Sequence, residues 1–158
     1  MKTLLLLYLS IFLLISSNIY SQSNGDTPWS NCFGKNASCD SYGCSEIRVI
    51  TSANDPVVAI VKKNNKIIKH AYISANSRYS FEVKNGTYQV FFYYGTDWNS
   101  RLWMPSDKCG QVVGRWSSNE YVSKDEPITL KNEWMEYRLS LITNGNFTPG
   151  KSSLKEAF

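Results

Sequence analysis

The stretch Arg78-Tyr79-Ser80-Phe81-Glu82-Val83-Lys84-Asn85-Gly86-Thr87-Tyr88-Gln89-Val90-Phe91-Phe92-Tyr93-Tyr94 decides the fold class. Tyr79, Phe81 and Val83 alternate with Ser80 and Glu82, a period of two that sets the apolar side chains on one face of an extended strand. Past Asn85-Gly86, Tyr88, Val90, Phe92 and Tyr94 form one stripe and Thr87, Gln89, Phe91 and Tyr93 the other, so this strand is apolar on both sides at its far end. Asn-Gly is the favoured two-residue type I′ turn, because both positions accept positive φ, and it predicts a hairpin at 85–86.

Outward from this stretch the same pattern repeats. Short runs of β-branched and aromatic residues at 47–51, 57–62, 66–73, 110–116, 120–123, 128–130 and 134–143 join 78–83 and 87–94 as expected strands. Asn64-Asn65 reads as a second hairpin turn, and Ser74-Ala75-Asn76 as a short polar connection. Met135, Tyr137, Leu139 and Leu141 alternate with Glu136, Arg138 and Ser140, again at strand spacing. No run of ten residues reads as helix. The expectation is an all-β chain: a single antiparallel β-sandwich, prealbumin-like or Ig-like, with a disulfide-linked amino-terminal loop segment.

The ends place the protein. Met1-Lys2 supplies a positive start, residues 4–15 are apolar apart from Tyr8 and Ser10, and Ser21 offers a small residue for cleavage before Gln22. An apolar run of about a dozen residues is short of the roughly 20 that span a bilayer. Residues 1–21 therefore read as a signal peptide, and the rest as an extracytoplasmic protein, periplasmic or secreted, with no integral membrane segment. Residues 22–45 form a Cys-containing loop segment, 46–143 the sandwich domain and 144–158 a polar carboxyl-terminal tail.

With 42% apolar and 19% charged residues, the composition is that of a globular domain. The whole chain carries a net charge of +4, too small to argue for a nucleic-acid partner. Lys62, Lys63, Lys66 and Lys69 cluster around the 64–65 turn, where lysines discourage edge pairing. The four cysteines, Cys32, Cys39, Cys44 and Cys109, read as two disulfides in an oxidising compartment. Zinc ligands usually come in close pairs, and the spacing here differs. One bridge should tie the amino-terminal segment to Cys109; the pairing is otherwise open.

Residues 79–95, with Asp97-Trp98-Asn99, Ser123-Lys124-Asp125-Glu126-Pro127, Asn144-Gly145-Asn146-Phe147 and Glu156-Ala157-Phe158, resemble an uncharacterised family of exported bacterial proteins. The resemblance covers about residues 46–158. The strand–Asn-Gly-Thr-Tyr–strand unit also looks like the hairpin of prealbumin-like (carboxypeptidase regulatory) modules. It implies a small sandwich appended to other machinery and brings no catalytic or ligand residues.

Chemistry is sparse. His70 is the one imidazole, set in an expected strand, where packing is its ordinary role. Nucleophile elbows, zinc-helix motifs, phosphate-cradling glycine loops and calcium loops are all missing from the sequence. Neither an enzyme, a cofactor nor a metal site is expected. Asp125-Glu126, or a pair such as Asp97 with Glu120, leaves a hydrolase only as a remote alternative.

The unusual segment is 93–105, expected as a long connection leaving the most aromatic strand. Indole faces stack on sugar rings, and Asp, Asn and Arg bind hydroxyls. Trp98 and Trp103 would be the platforms, with Asp97, Asn99, Arg101 and Tyr94 beside them. Burial of both indoles over the core is the competing expectation, while Trp29, Trp116 and Trp134 suit the core or its edge. The function expected is a non-catalytic module binding a glycan or an envelope protein; the alternative is a structural or assembly component of the envelope.

Overall fold

The computed structural model describes residues 22–40, 42–139 and 150–158. The expected signal segment 1–21, the end of the last expected strand at 140–143 and residues 144–149 of the tail lie outside the described residues. The chain runs α1 (Ser30–Phe33), β1 (Cys44–Thr51), β2 (Val57–Lys63), β3 (Lys66–Ile73), β4 (Arg78–Lys84), β5 (Gly86–Ser106), β6 (Gly110–Lys124), β7 (Ile128–Leu130), β8 (Trp134–Leu139), β9 (Gly150–Ser152) and α2 (Leu154–Ala157). The protein is mostly β, in two sheets. Three strands in the order β4-β1-β8 make the smaller; β3-β2-β5-β6-β9, with β7 on the start of β5, make the larger.

Three expectations need correction. Asn85-Gly86 is no hairpin: β4 belongs to the small sheet and β5 to the large one, so the chain crosses between sheets there. Asn85 lacks the positive φ a type I′ turn demands. Its amide works as a corner tie instead, with Oδ1 accepting from Ser45 Oγ (2.8 Å) and Asn132 N–H (2.8 Å) and Nδ2 donating to Asn132 Oδ1 (2.9 Å). The Asn64-Asn65 turn does close a hairpin, between β2 and β3, with both residues at positive φ (49° and 59°).

The second correction concerns direction, since β1 pairs β4 antiparallel but β8 parallel, in the register Glu46↔Trp134 to Thr51↔Leu139. Parallel neighbours need a crossover connection. Here β2 to β7 intervene between the two strands in sequence, which no local pattern announces. The third is that the expected connection 95–105 is strand, and the expected strands 110–116 and 120–123 are one.

The double stripe on the central strands explains the layering. Val57, Ala59 and Val61 of β2, with Tyr88, Val90 and Phe92 of β5, meet Ile47, Val49, Phe81, Val83 and Tyr137 of the small sheet in one core. Each fully buried aliphatic or Phe side chain is worth about 1.5–3 kcal/mol. Val58, Ile60, Phe91 and Tyr93 face the other way, where no sheet covers them; Trp29 of the amino-terminal segment and Ala157 of α2 do.

The amino-terminal segment also closes the free edge of β3. Gly25 N–H donates to the Tyr72 carbonyl and Tyr72 N–H to the Asp26 carbonyl, both at 2.8 Å. The Asn36 amide donates to the His70 carbonyl (2.9 Å) and accepts the His70 N–H (3.2 Å). An edge left with unpaired donors and acceptors invites pairing with other chains, and this one is sealed. The four cysteines form Cys32–Cys109 and Cys39–Cys44, with S–S distances of 1.98 and 2.07 Å. The first bridge pins the segment to the turn between β5 and β6. Among the described residues no helix is long and apolar enough to cross a membrane.

Candidate functional site

Beyond Tyr94, β5 and β6 continue as a two-stranded ribbon. Its register passes through Thr96↔Ser118, Trp98↔Trp116, Asn99↔Arg115 and Trp103↔Val113 to Ser106↔Gly110, with irregularities at 94–96 and 99–103. Bulges of this kind re-aim side chains and break the sequence period. At the first, Gly95 is obligatory because a Cβ there would overlap the Cβ and Cγ of Trp116. Gly114 answers it on the other strand: it holds φ +108°, and a Cβ would lie 2.9 Å from Trp98 Cζ2. Each indole thus lies against a glycine of the opposite strand.

One face of the ribbon is core. Trp98 packs edge-on to Trp116 (5.1 Å between centroids) and near Tyr72 (5.8 Å) and Trp29 (6.1 Å), with Met104 and Val112 in the same cluster. Trp29 Nε1 donates to the Gly114 carbonyl (2.9 Å) and Trp116 Nε1 to the Tyr93 carbonyl (3.2 Å). Trp98 Nε1 is buried with no partner among the described residues. Beside it a cleft of about 370 Å³ opens toward the amino-terminal segment, lined by Asp26, Thr27, Pro28, Trp98, Ser100 and Val113. The Asp26 carboxylate there is already engaged, accepting from Gln22 Nε2 (3.0 Å) and Ser23 N–H (2.7 Å).

The opposite face is open. Trp103 and Tyr121 are each 59% exposed, and Val113, registered across from Trp103, is exposed too. Tyr121 stacks on its strand partner Tyr94 at 4.6 Å and 10°. Between the two aromatic positions, Arg115 donates to the Trp103 carbonyl (3.3 Å) and pairs with Glu120, which also accepts the Tyr93 hydroxyl. Burial raises the Tyr93 and Tyr94 hydroxyls far above the usual phenol range, so both remain neutral donors.

The six residues singled out in the sequence are therefore divided. Trp98 is half-buried on the core face and Trp103 projects from the other. Asp97 is exposed at φ 55°, Arg101 is exposed, and Asn99 is half-buried with its Oδ1 accepting the Arg101 N–H (2.9 Å). Tyr94 is half-buried in its stack. Tyr121, Arg115 and Val113 escaped the sequence reading. Their alternation against Val112 and Trp116 carries a signal, but it takes meaning only once β5 is known to pair alongside. Trp29 and Trp116 are core, whereas Trp134 is 59% exposed beneath the Arg48 guanidinium (4.7 Å).

Two further titratable groups make contacts within the fold. His70 is fully buried, stacked on Trp29 (5.4 Å), and its Nε2 accepts the Trp29 N–H (3.1 Å). Burial holds its pKa at about 4, against a small opposing pull from the Thr27 backbone, so the ring is neutral. Asp125 accepts the Tyr137 hydroxyl (2.8 Å). Among the described residues no three His, Cys, Asp or Glu side chains are grouped to hold a metal ion. The chain matches no family model, no curated protein and no solved structure.

Proposed function

We propose that this is an exported, non-catalytic binding module that takes an extended glycan along the open face of the β5–β6 ribbon. The scaffold would be a β-sandwich of the prealbumin-like or Ig-like kind, a reading supported by a core drawn from both sheets. Export is supported by the amino-terminal sequence and the two disulfides.

One observation carries the proposal: Trp103 and Tyr121 both stand exposed on a ribbon that also packs Trp98, Met104, Val112 and Trp116 into a core cluster. From Val113, beside Trp103, to Tyr121 the strand rises roughly 25 Å, a span suited to a polymer rather than a single sugar. Trp103 would stack on one ring and Tyr121 on another, with Arg115 and Asn99 meeting hydroxyls between them. The Cys32–Cys109 bridge holds the far end of the ribbon, which lowers the ordering cost of binding. The assembly alternative draws on a free tail, yet residues 150–158 lie against the fold: β9 pairs β6, and Ala157 is buried.

Fluorescence titration of the mature chain with soluble polysaccharides tests the reading. A saturable shift lost in Trp103→Ala and weakened in Tyr121→Ala is expected. An unchanged response in Trp103→Ala, or none across a broad panel, would defeat the glycan assignment.

A further inference from the structure

A cleft of about 330 Å³ lies between the amino-terminal segment and the starts of β3 and β5. Lys35, Lys63, Lys69 and Lys84 line it, brought from the amino-terminal segment, β2, β3 and β4. None of the four makes an ion pair among the described residues. We infer that this cleft is a binding site for a small sugar ring carrying a phosphate or sulfate ester, independent of the ribbon.

Lysines scattered over a surface need no ligand; these four line one concave space. The sequence clusters Lys62, Lys63, Lys66 and Lys69, but the fold separates them by task. Lys62 is buried, and its Nζ donates to the Glu156 carbonyl (2.6 Å), fastening α2. Lys66 stays exposed at the turn and does not line the cleft. Lys63 and Lys69 line the cleft together with Lys35 and Lys84, residues far away in sequence.

The walls are fixed in advance. Lys69 reaches across from β3 to donate to the Ala37 carbonyl, and Lys63 Nζ sits 5.2 Å over the Tyr88 ring. The neighbouring Cys39–Cys44 bridge restrains the wall formed by the amino-terminal segment. Glu82 is the single carboxylate among the described residues lining the cleft; its Oε2 accepts the Cys39 N–H (3.0 Å), and its charge favours the Lys69 ammonium. Partial burial lowers the Lys69 ammonium's pKa, and a bound anion would restore it. Ile68 and Val83 supply apolar wall for a ring body, and the ammonium groups supply charge-assisted hydrogen bonds to a tetrahedral oxyanion.

Calorimetric titration of the mature chain at low salt with glucose 6-phosphate, glucose 6-sulfate, glucose and inorganic phosphate tests the site. At least one ester should bind saturably, more tightly than inorganic phosphate, while glucose gives no heat; the two esters distinguish phosphate from sulfate. Lys63→Gln/Lys84→Gln should weaken binding about tenfold or more, and Lys35→Gln, on an exposed residue outside every strand, should weaken it with an unchanged melting temperature. Lys66→Gln/Lys131→Gln, off the cleft, and Trp103→Ala, on the ribbon, should leave it intact. Silence from both esters, equal binding of glucose, or equal loss in the Lys66/Lys131 variant would overturn the inference. Since Trp103→Ala removes only the ribbon's binding, either reading can fail without the other.

Discussion

The two faces of the β5–β6 ribbon are made by the same residues' alternation, yet one is interior and the other is open. Trp98, Met104, Val112 and Trp116 meet Trp29 and the carboxyl-terminal Ala157 and Phe158 in a second core. Trp103, Val113 and Tyr121, one residue out of phase, meet solvent. The difference lies in what the chain supplies to cover each face. The amino-terminal segment and α2 wrap the first; the small sheet ends over Tyr94 and covers none of the second. The proposed binding reading rests on this difference in cover.

The largest effect should come from unfastening the cover of the packed face. Cys32–Cys109 closes 77 residues and Cys39–Cys44 only 5. On chain-entropy grounds the first contributes about 4–5 kcal/mol and the second about 2 kcal/mol. Chemical denaturation of Cys32→Ser/Cys109→Ser should therefore show at least twice the loss seen in Cys39→Ser/Cys44→Ser.

Next comes the packed face itself. Trp116→Ala empties a fully buried site and should cost about 3–5 kcal/mol. Gly95→Ala forces a methyl group into that same indole and should cost about 1–3 kcal/mol. Thermal melts read both.

How far the sequence foretold this can be judged residue by residue. Period-two alternation located nearly every strand, and the double stripe at Val90–Tyr93, apolar on both sides, is the sheet that proves to be covered on both. The Asn64-Asn65 turn was legible because it is local. Asn85-Gly86 misled for the same reason: the dipeptide favours a hairpin, but its side chain found Ser45 and Asn132, which only the folded chain brings near. The ribbon was hidden by Gly95 and Pro105, which read as loop, and by two register shifts that interrupt the alternation. Consequently Trp98 and Trp103 looked equivalent, and Tyr121 and Arg115, assigned to separate strands or overlooked, could not be placed beside them.

A third way to sharpen the contrast uses acid. His70 supports the packed face as a neutral ring, with its pKa at about 4 against an ordinary 6.5. Unfolding lets it take up a proton, so its contribution is complete above pH 6.5 and declines as pH falls toward 4. About 2 kcal/mol should be lost between pH 7 and 5. His70→Gln, which keeps an acceptor for the Trp29 N–H, should flatten that slope in denaturation curves; an unchanged slope would assign it to other groups.

The smallest effect belongs to the open face. Trp103→Ala removes an exposed side chain and should change stability by no more than about 0.5 kcal/mol, far below Trp116→Ala in the same melts.

Hydroxyl-radical footprinting read by mass spectrometry, with and without a polysaccharide that binds, tests both faces in one experiment. Trp103 and Tyr121 should oxidise quickly in the free protein and become protected on binding, while Trp29 and Trp116 stay slow in both states. Slow oxidation of Trp103 in the free protein, or protection that falls elsewhere while Trp103 and Tyr121 remain reactive, would contradict the account.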